Sequence, residues 1–177
     1  MVDEVTYVVE LLKQNWANAI SSVSGIAAVH QVTPTIVDVR NLTKNKAVKY
    51  DLSNKVAGES SSDLIVVFED SQEVQYPTIA YDVRNETYSV TLHIRCIDDD
   101  RGNGVANFGR DRLRALSQLV RYIVENKRRG ATVTLNSDSA RFNLLELGGR
   151  SESNDRNKRI FGYKVGVTLK RYAIAIP

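Results

Sequence analysis

"VQYPTIAYDVRNETYSVTLHIRCI" (74–97) decides the fold class. In its second arm Tyr88, Val90, Leu92, Ile94 and Cys96 share one parity, while Thr87, Ser89, Thr91, His93 and Arg95 share the other. A side-chain period of two is that of a strand with one face buried and the other left to water or to a partner. The first arm, 74–83, reads as the antiparallel neighbour, and the pair predicts a hairpin turning near Arg84–Asn85. Just upstream, LIVVF (64–68) is a short continuous apolar run, the texture of a strand covered on both faces.

Working outward, EVTYVVELLKQNWANAIS (4–21) places Val5, Val8, Val9, Leu12, Trp16 and Ile20 near one side at helical spacing, with Asp3 as its N-cap. TIVDVR (35–40) and AVKY (47–50) read as short strands or edge segments, and NKVAGESSSD (54–63) as an exposed, mobile loop. The longest helix is expected over 110–129, short strands at TVTL (132–135) and FNLLEL (142–147), and a closing strand at IFGYKVGVTLKRY (160–172). In that strand Phe161, Tyr163, Val165, Val167 and Leu169 share a face. GGRSESNDRNKR (148–159) is rich in Gly, Ser and charge and long for a hairpin loop, so it is either disordered or a docking arm. The strands follow one another through short turns rather than helical crossovers. The expectation is therefore an α+β domain over 1–177: a mainly antiparallel sheet packed by two principal helices, about 4–21 and 110–129.

The 177 residues, 42% hydrophobic, suffice for one ordinary core. There is no apolar run of about 18 residues, and MVDEVTYVVELL is acidic rather than basic ahead of its apolar part. Neither a membrane span nor a secretory signal is expected, and assembly in a cytoplasm follows. The single Cys96 cannot form an internal disulfide and reads as a small buried hydrophobe. The net charge of +3 conceals a segregation: residues 1–100 hold 8 Lys+Arg against 15 Asp+Glu, and residues 101–177 hold 16 against 6. A basic flank can meet nucleic acid, or the acidic flank of another copy.

"IRCIDDDRGNGVANFGRDRLRAL" (94–116) imitates a phosphate- or metal-binding loop. A phosphate loop needs G-x-x-x-x-G-K-[ST], yet Gly104 and Gly109 are followed by Arg110 and Asp111, so a carboxylate stands where phosphate oxygens should lie. As a dinucleotide fingerprint the third glycine position is Asn107, and as a calcium loop from Asp99 the third and twelfth positions are Arg101 and Arg110. Asp98, Asp99 and Asp100 are adjacent on an extended chain, so at most two could converge on magnesium; they read as an acidic docking cluster at a strand end. No cofactor is expected.

At about 100° per residue, Leu113, Leu116, Val120, Ile123 and Val124 define the apolar face of the second helix. Arg110, Arg114, Arg121 and Arg128 fall within about 40° of one another on another side. Such a stripe is either a solvated face or a contact for acidic partner surfaces or phosphate backbone. The two histidines, His30 in a loop and His93 on the polar strand face, have no nucleophile elbow or ligand cluster beside them, so no catalytic residues are assigned.

The order of a leading amphipathic helix, the hairpin "YPTIAYDVRNETYSVTLHIRC" (76–96), the helix "RDRLRALSQLVRYIVENKRR" (110–129) and the strand "FGYKVGVTLKRYAI" (161–174) resembles a tailed-bacteriophage tail terminator, or tail-completion protein, of the lambda-like type. The resemblance implies a non-enzymatic virion protein of the head–tail junction: a homo-oligomeric, hexameric ring that caps the tail tube, ends its polymerisation and docks the neck. Its partners would be further copies, the tail tube protein and the neck or head-completion protein, with DNA passing through the ring without specific binding and no membrane involved. The arginine stripe would then lie at a subunit or neck interface, or outside the lumen, because phosphate binding would retard passage. The alternatives are another connector or neck ring protein, or a nucleic-acid-binding accessory protein using the stripe.

Overall fold

A computed structural model describes residues 2–31, 33–41, 63–75, 83–97, 108–154 and 160–174. Helix α1 (Glu4–Ser22) starts where expected, because the Asp3 carboxylate accepts a hydrogen bond of 2.8 Å from the Thr6 amide. It buries Val5, Val8, Val9, Leu12, Trp16 and Ala19, the side that carries the apolar spacing. After a single 3-10 turn at Ala28–His30 come strand β1 (Thr35–Asp38) and a second such turn at Val39–Asn41. Strands β2 (Leu64–Gln75) and β3 (Val83–Ile97) follow, then helix α2 (Phe108–Asn126). The small hairpin of β4 (Thr132–Leu135) and β5 (Asp138–Arg141) precedes β6 (Leu144–Glu152) and β7 (Ile160–Ile174).

The fold is α+β and sheet-dominated. Five strands form one sheet in the order β1-β2-β3-β7-β6, antiparallel except for the β1–β2 pair, while β4 and β5 form a separate two-stranded ribbon. Strand β3 is the centre, paired along its length with β2 and β7. Its alternation is realised: Tyr88, Val90, Leu92, Ile94 and Cys96 are buried, and Thr91, His93 and Arg95 are half-buried on the other face. Val165, Val167 and Leu169 of β7 lie opposite Leu92, Val90 and Tyr88, so the same face continues across strands and receives both helices. LIVVF is covered on both faces, as its texture implies: Ile65 and Val67 belong to the main core, and Leu64 and Val66 form a second cluster with Ile160.

Several expectations are corrected. Residues 64–68 and 74–75 are one strand, β2, and Arg84–Asn85 lie inside β3, paired with Ala173 and Tyr172. The chain therefore does not turn at Arg84–Asn85, and residues 76–82, which join the two strands, lie outside the described residues. The polar run Glu69–Gln75 masked this continuity, since a strand exposed on both faces has no hydrophobic period to read. A bulge at Asp70 shifts the register, and its carboxylate accepts from the Thr91 hydroxyl. In the 148–159 loop, residues 148–152 are instead strand, carried past a second irregularity between Leu147 and Arg150 to pair with Tyr163–Val165. DSAR (138–141) lacks apolar alternation, yet forms β5 because Asn136, at φ 56°, turns the chain tightly enough to pair Leu135 with Asp138. The segment 47–50 and the loop 54–62 lie outside the described residues, although Asp63 is well placed and buried.

Helix α2 ends in a turn at Lys127–Arg129 rather than continuing to 129. Gly130 closes that turn at φ 82°, its amide bonded to the Lys127 carbonyl at 2.8 Å. A β-carbon there would stand 1.9 Å from the Phe142 carbonyl oxygen, so backbone conformation and space both require glycine.

Candidate functional site

Of the four arginines of the stripe, Arg110, Arg114 and Arg121 are exposed on α2, away from the face that buries Leu113, Leu116, Leu119, Val120 and Ile123, whereas Arg128, also exposed, lies past the helix end in the turn at Lys127–Arg129. Two of them are tied to acids of their own helix: Arg121 Nε lies 2.7 Å from Glu125 Oε1, and Arg114 Nη1 lies 3.3 Å from Asp111 Oδ1. Both pairs are open to water and hold little energy. Arg110 sits over the Phe161 ring at 5.9 Å, and the Arg128 guanidinium makes no ion pair among the described residues. The stripe is thus a solvent-facing row with partly neutralised charge. Asp98, Asp99 and Asp100 lie outside the described residues, so the acidic docking cluster has no described geometry.

A fifth arginine of α2 has a different fate. Arg112 is fully buried, and its Nε lies 2.6 Å from Oδ2 of Asp63, which is also fully buried. Asp63 stands at the head of β2, where its carbonyl accepts from the Thr35 amide at 3.0 Å. The pair therefore clips the start of β2, and β1 beside it, to the second helix. The sequence carried this signal: at 100° per residue Arg112 falls between Leu119 and Ile123, inside the apolar sector.

Glu86, buried on the helix-facing side of β3, is a second site that periodicity alone did not reveal. It accepts from the Tyr88 hydroxyl at 3.0 Å, pairs with Arg84 at 2.8 Å, and faces its register partner Arg171 at 3.7 Å. Arg171 in turn lies over the Phe142 ring at 4.5 Å. Burial, and then the Glu86 carboxylate, push the Tyr88 phenol above its ordinary pKa. This network fixes the far end of the sheet to the β5–β6 connection.

His93 is stacked on Phe68 with ring centroids 4.3 Å apart. Burial, and then the neighbouring Lys164 and Arg95, hold its pKa below the ordinary value, against a weaker pull from Asp70. It is a neutral, half-buried packing residue near pH 7, on the sheet face away from the main core and beside its register partner Val66. His30 packs against Phe108 at 4.9 Å, and Cys96 is fully buried in the core. Among the described residues no three His, Cys, Asp or Glu side chains are grouped as a metal site, and no described helix is long and apolar enough to cross a membrane.

What the geometry does offer is edges. Strand β1 covers β2 only over Leu64–Val67, so Phe68–Gln75 has no strand partner on its outer side among the described residues. At the other margin of the sheet β6 is the terminal strand, and Gly148–Glu152 is exposed. Between β6 and α2 run two adjoining hollows of about 480 and 350 Å³, which share Glu125, Leu147 and Gly148. Arg121, Arg128 and Arg150 line them, with Val120, Val124 and Val165 as apolar wall. Two residues of the stripe, Arg121 and Arg128, thus join Arg150 at one groove, while Arg110 and Arg114 do not line it. Among known proteins, no family model matches this chain, and no curated protein matches it.

Proposed function

We propose that this chain is a non-enzymatic structural subunit that assembles with further copies into a ring at the head–tail junction of a tailed phage. There it would cap the tail tube, end its growth and present the surface to which the neck docks. The observation that carries this reading is the pair of exposed strand edges, Phe68–Gln75 and Gly148–Glu152, at opposite margins of one sheet. Closed rings need two unlike surfaces on every subunit, and such edges are poised to pair. The order of elements, helix then hairpin, helix and closing strand, agrees with the resemblance to tail terminators. The fully buried pair Arg112–Asp63 and the pairing of buried Glu86 with Arg84 act as packing clips that hold the sheet and its margins in place. The test is sedimentation and negative-stain microscopy of the purified chain. Uniform rings with a central hole support the reading; a monomer at micromolar concentration, alone and with tail tube protein, refutes it.

A second reading is favoured by the exposed row Arg110, Arg114, Arg121 and Arg128: an accessory protein that grips the phosphate backbone. It expects steeply salt-dependent binding to duplex DNA that is lost when those arginines are replaced by Glu. Weak binding with a shallow salt slope removes it.

A further inference from the structure

The two edges that lack a strand partner among the described residues differ in charge in a way that selects their partner. Phe68–Gln75 of β2 carries Glu69, Asp70 and Glu73 with no Lys or Arg, and its exposed Val74 adds an apolar contact. The opposite margin, β6 with the wall of α2, presents Arg121, Arg128 and Arg150 together with Glu125 and Glu146, beside Val120, Val124 and Val165; Arg121 is held by Glu125 and Glu146 by Lys170, so Arg128 and Arg150, which make no ion pair among the described residues, carry its positive charge. Strand direction matches as well. Because β2, β3, β7 and β6 are antiparallel in succession, β6 runs antiparallel to β2. Copies related by rotation about an axis to which the strands are tilted, as in a barrel, would therefore bring β2 of one against β6 of the next as an ordinary antiparallel pair.

We propose that the Phe68–Gln75 edge of one copy adds to the β6 edge of the next, with its acidic side chains received by Arg121, Arg128 and Arg150, so that one sheet runs on from subunit to subunit. The occupant of the α2–β6 groove is thus a second copy of this chain. The acids on β2 discourage pairing with edges of the same sign, and the arginines across the contact make the pairing selective. The free half of β2 and the Gly148–Glu152 tail of β6 lie at opposite ends of the sheet, since Gly148–Glu152 aligns through β7 with the Leu64–Val67 half of β2. Pairing them staggers successive copies, as strands stagger in a closed barrel. This inference rests on the ring-forming reading above.

The test exchanges charges. Glu69→Lys with Glu73→Lys makes both edges basic, and Arg121→Glu with Arg150→Glu makes both acidic. Each variant alone is expected to sediment as a monomer with unchanged far-ultraviolet circular dichroism, whereas a 1:1 mixture regains the wild-type assembly with the two chains alternating. Should either double variant fail to fold, Val74→Lys on the acidic edge and Arg128→Glu on the basic one carry the same expectation of lost assembly singly. If the wild-type chain is itself a monomer, the ring reading fails. If it forms rings that survive the reversals, or if mixing restores nothing, the ring reading stands and the edge-pairing inference is overturned. Rings that persist in Arg121→Glu, Arg150→Glu while binding of tail tube protein is lost would also overturn it, and would assign the groove to that partner.

Discussion

A guanidinium and a carboxylate that are both fully buried hold a fold only as a pair. Removing either partner from Arg112–Asp63 takes away the 2.6 Å counter-ion of a fully buried charge, which costs about 3–5 kcal/mol, whereas apolar replacement of both at similar volume is close to neutral. Arg112→Met and Asp63→Leu are each expected to lower stability by that amount, and the double variant to lose much less than their sum. Urea unfolding of the four proteins measures the coupling, and simple additivity would show the pair to be unimportant. Asp3 acts at the surface instead. Burial pushes its pKa up, but hydrogen bonds from Arg40 and the Thr6 amide more than offset this and hold the carboxyl below its ordinary 3.8. A lowered carboxylate pKa contributes stability above the unfolded-state value, and that contribution is lost as pH falls through the folded value. Asp3→Ala should therefore cost about 1 kcal/mol near neutral pH, through the lost cap and the lost pairing with Arg40. Thermal melts repeated below about pH 3 should show that deficit narrowing, and a deficit that stays constant with pH would assign it to helix propensity alone.

Elements were legible where one face is buried and obscure where neither is. Helix α1, the alternation of β3 and the shared face of β7 could be read from periodicity because burial imposes it. The outer half of β2, the tail of β6 and all of β5 are mostly exposed on both sides, so their polar sequences resemble loops and only pairing with a neighbour makes them strands. The candidate surface was half visible for the same reason: the stripe on α2 follows from helical spacing, but Arg150 joins Arg121 and Arg128 only once Gly148–Glu152 is known to be strand. Helix geometry also separates arginines that matter for folding from those that do not. Arg114→Gln and Arg121→Gln break only open i,i+3 and i,i+4 pairs, and each should change unfolding free energy by less than about 0.5 kcal/mol. At the end of α2, Gly130→Ala meets both a left-handed backbone and the Phe142 carbonyl, so it should cost about 2 kcal/mol or more in the same assay. A neutral result there would mean that the helix end relaxes without penalty.

At the scale of the whole molecule, the segregation of charge along the chain acquires a place in space. Residues 1–100 supply the acidic β2 edge, and residues 101–177 supply α2 and β6, so the two halves of the sequence end at opposite margins of one sheet. That arrangement makes salt a probe of what the margins bind. Charges meeting between copies would remain near water, and their attraction is screened over about 10 Å at 0.1 M salt and about 3 Å at 1 M. Ladder hydrogen bonds and the apolar floor of the groove are not screened in this way. Assembly should accordingly weaken as salt rises, moving the monomer–ring midpoint to higher protein concentration, yet rings should persist at high protein concentration even in 1 M salt. Phosphate binding through the stripe behaves differently, since each neutralised phosphate contributes about −0.9 to the slope of log K against log salt, and four arginines would abolish binding over the same range. Sedimentation velocity with and without duplex DNA, from about 0.05 to 1 M salt, separates the two. Assembly that strengthens with salt would make the contact apolar and remove charge matching from it, and DNA binding with the steep slope would move the arginines from the subunit contact to the nucleic acid.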